Sequence, residues 1–216
     1  MELIFLCSGN GGNLKFINTY LESLSLGKVI YVLSDRNCLA NKFAYDYQIP
    51  NKVISFENNE TNNSLVSILE NYHPDFIITN IHKIISPNVV SKFSGKLINL
   101  HYSILPSFKG LVGMNPLHKA MKLNSKFVGS TCHFVNDEVD SGKIISQSSF
   151  KVEKNINLEQ KMFKAGAITL LNGLLKLTNH QSIGNFKFNE IEFNPSYELN
   201  WTLLSEILLK LENDEL

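Results

Sequence analysis

The run Lys96-Leu97-Ile98-Asn99-Leu100-His101 constrains the chain most. Its apolar part is too short for a typical helix and reads as a buried strand. Side chains alternate faces along a strand, so Asn99 and His101 point the same way. A loop punctuated by Pro106 and Gly110 follows at once. An amide and an imidazole thus share the end of a strand, the edge at which open α/β sheets bind ligands. Downstream, the apolar run Phe127–Val135 leads into the acidic turn Asn136-Asp137-Glu138-Val139-Asp140-Ser141-Gly142. An amide, an imidazole and a carboxylate that converge there suit a charged tetrahedral intermediate and a proton transfer.

The remaining pattern alternates short apolar runs with helical spacing. Glu2–Cys7 reads as a first buried strand, Ser8-Gly9-Asn10-Gly11-Gly12-Asn13 as a glycine-rich turn, and Leu14–Leu24 as a helix. Strand, glycine loop and helix in that order make an anion cradle, because free backbone N–H groups and the helix dipole face a ligand. A plain tight turn is the alternative. Lys28–Ser34 forms a second strand ending at Asp35, where a dinucleotide fold places an acidic residue for the ribose hydroxyls. A nicotinamide-dependent oxidoreductase is therefore a competing reading. It is weakened by Leu14, which stands where the third glycine of that fingerprint belongs.

Cys38–Tyr47 is expected to be helical and Lys52–Phe56 a short strand. The polar loop Asn58–Asn63 is expected to cap a helix running from Ser64 to Tyr72. Asp75–Thr79 reads as a strand, and Pro87 opens a short helix. A helix starts at Asn115, Lys143–Val152 reads as an alternating strand pair or hairpin arm, and a long helix runs from Asn157 to Leu177. The last part gives a short aromatic strand (Phe186-Lys187-Phe188), a turn at Asn194-Pro195-Ser196, and a helix from Thr202 to Leu211. This segment reads as an appendage that covers the core or forms a dimer surface, which leaves a homodimer open.

The 216 residues suffice for one large domain or a domain with an appendage, and a hydrophobic content of 44% supports a proper core. Twenty basic and twenty acidic residues leave no net charge, which argues against a nucleic-acid partner. Cys7, Cys38 and Cys132 form no close pair, so neither a disulfide framework nor a zinc site is expected, and no metal is called for. The apolar start is too short for a signal peptide, and no run approaches a membrane span. A soluble cytoplasmic protein is the expectation.

Asn99-Leu100-His101-Tyr102-Ser103-Ile104-Leu105-Pro106, Gly129-Ser130-Thr131-Cys132-His133-Phe134 and Asp137-Glu138-Val139-Asp140-Ser141-Gly142 resemble the folate-dependent formyltransferase superfamily. Its members include glycinamide ribonucleotide formyltransferase, methionyl-tRNA formyltransferase and the amino-sugar N-formyltransferases. The resemblance runs from Met1 to Leu177, with the three motifs in the family's order. It implies a Rossmann-like α/β fold: an open, mostly parallel sheet with helices on both faces. A catalytic domain would span 1–180 and the appendage 181–216. It further implies 10-formyltetrahydrofolate as formyl donor and a small-molecule amine as acceptor. Asn99, His101 and Asp140 would be catalytic. Ile81, His82, Ile84, Ile85 and Asp137 would contact the folate; the alternatives are a loop whose apolar residues only cap the core, and Asp137 as a mere turn residue. Gly11, Gly12 and Asn13 would contact an acceptor phosphate. His133 reads as a satisfied core histidine.

Two departures bear on the acceptor. Gly110-Leu111-Val112-Gly113-Met114-Asn115-Pro116-Leu117 is longer than in the purine enzyme and resembles the sugar-modifying and tRNA branches. The purine enzyme's long helix carries a glutamate that grips the acceptor, about where Gly166 stands here. The expected acceptor is therefore a phosphorylated or nucleotide-linked amino sugar, with glycinamide ribonucleotide of purine biosynthesis as the alternative. Methionyl-tRNA fits worst. A non-catalytic folate-binding protein is the remaining competitor.

Overall fold

Leu3, Ile4, Phe5 and Leu6 are completely buried in β1 (Glu2–Cys7), as an unbroken apolar run requires of a strand covered on both faces. The structure, a computed structural model, describes residues 1–56, 59–153 and 157–213. These residues gather into two compact units, Met1–Ile98 with Asn200–Leu216, and Asn99–Leu199.

In the first unit β1 pairs in parallel with β2 (Lys28–Ser34), and β2 with β3 (Asn51–Val53). On its other side β1 pairs with β4 (Phe76–Asn80), which pairs with the first residues of β5 (Leu97–His101). This is the open, parallel, Rossmann-like arrangement that the sequence leads one to expect. Parallel neighbours need crossovers, and these are helical: α1 (Gly12–Ser23), α2 (Leu39–Asp46), α3 (Asn59–Tyr72) and α4 (Pro87–Lys92). The third of these starts well before the expected Ser64, because its apolar periodicity begins only with the buried Leu65, Val66 and Leu69. Asn58, the first residue of the expected capping loop, lies outside the described residues.

The second unit takes over from Asn99. After α5 (Asn115–Lys122), β6 (Phe127–Phe134) and β7 (Ile144–Lys151) pair antiparallel, with a register shift between Cys132 and His133. α6 (Leu158–Leu177) is capped by the Asn157 side chain, which accepts from the Gln160 N–H. Its residues from Ala165 through Leu175 are all buried. β8 (Ser182–Phe188) and β9 (Ile191–Tyr197) close the unit as an antiparallel hairpin, and β9 pairs with β7.

The turn expected at Asn194-Pro195-Ser196 is thus inside a strand. Pairing with β7 stops at Asn194, and the register with β8 slips beyond Phe193, so the proline falls where no regular ladder bond is asked of it. The real turn is Asn189-Glu190, both left-handed (φ 47° and 63°), as a two-residue hairpin demands. Finally, α7 (Trp201–Glu212) rejoins the first unit. It buries Leu204, Ile207 and Leu208, and the Asn200 N–H at its start donates to the Tyr20 hydroxyl of α1 at 2.9 Å. Among the described residues no helix is long and apolar enough to cross a membrane.

Candidate active site

The second unit brings Asn99, His101 and Asp140 together. Asp140 Oδ2 stands 3.4 Å from His101 Nδ1, and the Asn99 amide Nδ2 donates to Oδ1 at 3.4 Å. The Gly110 N–H donates to Oδ2 at 2.8 Å. His101 is buried; its Nε2–H donates to the Phe108 carbonyl at 3.1 Å, a group that can only accept. Alternation along β5 puts Asn99 and His101 on one side, as expected, and the turn after β6 returns the carboxylate to them. Asp140 itself sits at φ 52°, a left-handed conformation that Asp tolerates better than most residues.

His133 completes the cluster, and the sequence reading had placed it in the core. It is buried and hydrogen-bonded, as that reading required, but its partners belong to the site. Its Nδ1–H donates to the Phe134 carbonyl at 2.8 Å, which leaves the Nε2 lone pair to accept from Asn99 Nδ2 at 3.2 Å. His133 Nε2 is also 3.6 Å from Asp140 Oδ1. The amide orientation of Asn99 follows: both neighbours are acceptors, so the NH2 end faces them. The register shift at Cys132/His133 has no mark in a single sequence, so no signal there points to this role.

The loop after β5 is anchored by two further residues that the sequence did not single out. The Thr131 hydroxyl donates to the Ser103 carbonyl and accepts from the Leu105 N–H and from Gln147 Nε2. Gln147 Nε2 also donates to the Leu105 carbonyl. A buried hydroxyl with all its capacity used fixes the loop that holds Phe108 and Gly110.

Burial pushes the His101 pKa below its ordinary value, more strongly than Asp140 and the Phe108 carbonyl pull it up. For Asp140 burial is again the largest single influence and raises the pKa, but His133, the Gly110 N–H and the charge of His101 together outweigh it. The carboxyl ends below its ordinary value. Both groups bind a proton less readily when folded, so acid favours the unfolded chain. Stability is expected to be full above pH 6.5, to decline as pH falls below it through the folded His101 value, and to decline again below 3.8. Urea midpoints across that range check this. A His101→Gln variant with the same dependence just below pH 6.5 as the parent would overturn it.

The first unit holds the other candidates. Gly11 has φ 73° and Gly12 opens α1, so the backbone turns from β1 into the helix as an anion cradle does. Asn13 is buried in the first turn of that helix. Beside β4, the His82 N–H donates to the Ser8 hydroxyl at 2.8 Å. Ile84 is 79% exposed, Ile81 half-buried, and Ile85 turned into the core. In the second unit Asp137 is exposed. Asp35 is engaged by its neighbour: the Arg36 guanidinium bonds both carboxylate oxygens, at 3.0 and 2.6 Å, and holds its pKa down. The ribose contact on which the nicotinamide reading leaned is taken.

Gly166 faces Leu100 and Tyr102. A Cβ there would lie 2.5 Å from the Tyr102 ring, so the tyrosine fills the space that a side chain at 166 would use. A side chain at 166 would need that ring to move aside.

Residues 1–169 match the family model described as formyl transferase. Among curated proteins, the chain is 33% identical over 124 residues to formyltetrahydrofolate deformylase of Escherichia coli, covering 56% of this chain and 43% of that protein. It is 31% identical over 166 residues to phosphoribosylglycinamide formyltransferase of Haemophilus influenzae, covering 74% and 77%. The chain spans only about half the length of the deformylases it matches (43% and 52%). A crystal structure of phosphoribosylglycinamide formyltransferase from Anaplasma phagocytophilum shares the fold, with a TM-score of 0.76 at 24% identity over 92% of this chain and 96% of that one.

Proposed function

We propose that this chain, which belongs to the formyl transferase family, moves the formyl group of 10-formyltetrahydrofolate to the primary amine of a small phosphorylated acceptor of the phosphoribosylglycinamide type. One observation carries the reading: a carboxylate held between an imidazole and an amide, at 3.4 Å from each. The amine lone pair attacks the formyl carbon, the C=O electrons move to oxygen, and a tetrahedral adduct forms. Its collapse expels the folate nitrogen, which takes up a proton, while the new amide nitrogen loses one.

Asn99 and His101 are the donors for the oxyanion, and Asp140 stabilises the amine as it gains positive charge. At rest the Asp140 carboxylate holds one Asn99 N–H, and the donors left for exchange rest on weaker acceptors, a carbonyl on His101 and an imidazole lone pair on Asn99. An oxyanion is a stronger acceptor than either. Exchange becomes favourable only as charge develops, which is the differential binding that catalysis requires. Ile81, Ile84 and the backbone around His82 are assigned to the folate, and Gly11, Gly12 and Asn13 to the acceptor phosphate.

The amino-sugar acceptor suggested by the Asn115-Pro116 segment draws no support from the relatives described above. Their names point to phosphoribosylglycinamide and to formyltetrahydrofolate itself. The deformylase relatives favour a second reading, in which water replaces the amine and formate is released. One assay separates them: 10-formyltetrahydrofolate is supplied with and without glycinamide ribonucleotide, and tetrahydrofolate, formate and N-formyl product are followed. Acceptor-dependent tetrahydrofolate release with a formylated amine is expected. Equal formate release without acceptor would replace the amine by water, and no turnover in either arm would remove the reading.

A further inference from the structure

We propose that Lys109 is a positioning residue that clamps the Asp140 turn onto the loop following β5 and so fixes the carboxylate between His101 and Asn99. Two adjacent residues of the loop bond two adjacent residues of the turn. Lys109 Nζ donates to the Ser141 hydroxyl at 2.7 Å, and the Gly110 N–H donates to Asp140 Oδ2 at 2.8 Å. Lys109 Nζ is also 3.8 Å from Glu138 Oε1. The turn is closed from inside by the Ser141 N–H donating to the Glu138 carbonyl (3.2 Å) and the Ser141 hydroxyl donating to the Val139 carbonyl (3.2 Å).

Both clamped pieces need holding. Phe108, Gly110 and Asp140 all have φ between 52° and 76°. A non-glycine residue in that region persists only where its surroundings over-determine it. The ion pair with Glu138, itself 78% exposed, contributes little on its own account. Its value is geometric. Lys109 lies next in the chain to Phe108, whose carbonyl receives His101, and to Gly110, whose N–H holds Asp140. One side chain therefore ties together the backbone groups that orient both members of the acid–base pair. A displacement of about 1 Å at such a pair can cost about a hundred-fold in rate.

The proposal rests on the formyl-transfer reading, and its test therefore includes a readout that needs no substrate. Asp140 is faced by His101 at the end of β5, His133 on β6, Asn99 and the Gly110 N–H, with Lys109 and Glu138 as the charges flanking the turn. In Lys109→Met the clamp opens and the Gly110 bond weakens. The Asp140 side-chain carboxyl carbon, followed by NMR, is then expected to titrate at a pH about half a unit higher. The same variant is expected to lose about ten-fold in kcat with KM for the folate donor within about two-fold. Lys109→Arg should restore most of both. An unchanged Asp140 titration in Lys109→Met, or equal loss in the Met and Arg variants, would overturn the clamp. Failure of the parent protein to transfer formyl, with the titration shifted as described, would instead count against the reaction assigned.

Discussion

Asp140→Asn is expected to lower turnover by about a thousand-fold while the fold and the affinity for the formyl donor survive. The substitution suits the site sterically. Asparagine accepts the left-handed backbone of position 140 as readily as aspartate, so the turn has no reason to change. Its side-chain oxygen, at the Oδ2 position, can still accept from the Gly110 N–H, and its NH2, at the Oδ1 position, turns toward the His133 Nε2 lone pair in place of accepting from Asn99. What disappears is the charge. The amine then gains its positive charge with no carboxylate beside it, and His101, already depressed by burial, loses the group that pulls its pKa upward. Stopped-flow detection of tetrahydrofolate formation measures the first effect, and calorimetric titration with a non-reactive folate measures donor binding. A variant within about ten-fold of the parent rate would show that the carboxylate is not part of the chemistry.

Gly142→Ala is expected to cost about 2–3 kcal/mol of stability, about 5–10 °C in melting temperature, and to cripple turnover even where the protein remains folded. The reason is close approach. A Cβ on residue 142 would lie 1.7 Å from the Phe134 carbonyl oxygen, well inside contact distance, and the obstacle is backbone that cannot swing aside. That carbonyl is also the acceptor of His133 Nδ1–H, and the Phe134 N–H is tied to the Lys143 carbonyl at 3.0 Å. Relieving the clash moves the Phe134 carbonyl. The histidine then loses the bond that holds its proton on Nδ1, and Asn99 loses the lone pair that fixes its amide. Thermal melting by circular dichroism and turnover below the transition test the two halves separately. A melting temperature unchanged to about 1 °C would mean that the strands part at this point without cost.

Much of the scaffold was legible along the chain. The apolar run Leu3–Cys7 of β1, the strand ending at His101 and the long α6 announce themselves through period and length, because their apolar positions coincide with the buried ones. The pairing of Asn99 with His101 followed from strand alternation alone. The early start of α3 and the Asn189-Glu190 hairpin did not show, for opposite reasons. The helix opens with polar residues indistinguishable from a loop, and the hairpin lacks the glycine that normally marks its second position.

The choice of partners within the site was not legible. His133 reads as a core histidine because its burial is a local property of β6, whereas its bond to Asn99 joins segments far apart in the chain. The same holds for Thr131 and Gln147, which look like ordinary strand residues until the loop after β5 is laid against them. The surroundings of Gly166 were equally hidden: the ring of Tyr102 occupies the room that a side chain there would need.

Local pattern therefore settles which residues lie on strands and which polar groups stand at a strand's end, since pleat and burial act over a few residues. Which acceptor each N–H faces, which tautomer a buried imidazole keeps, and whether a carboxylate is held or free depend on groups brought within 3–4 Å by packing. Those energies do not exist until the chain has folded.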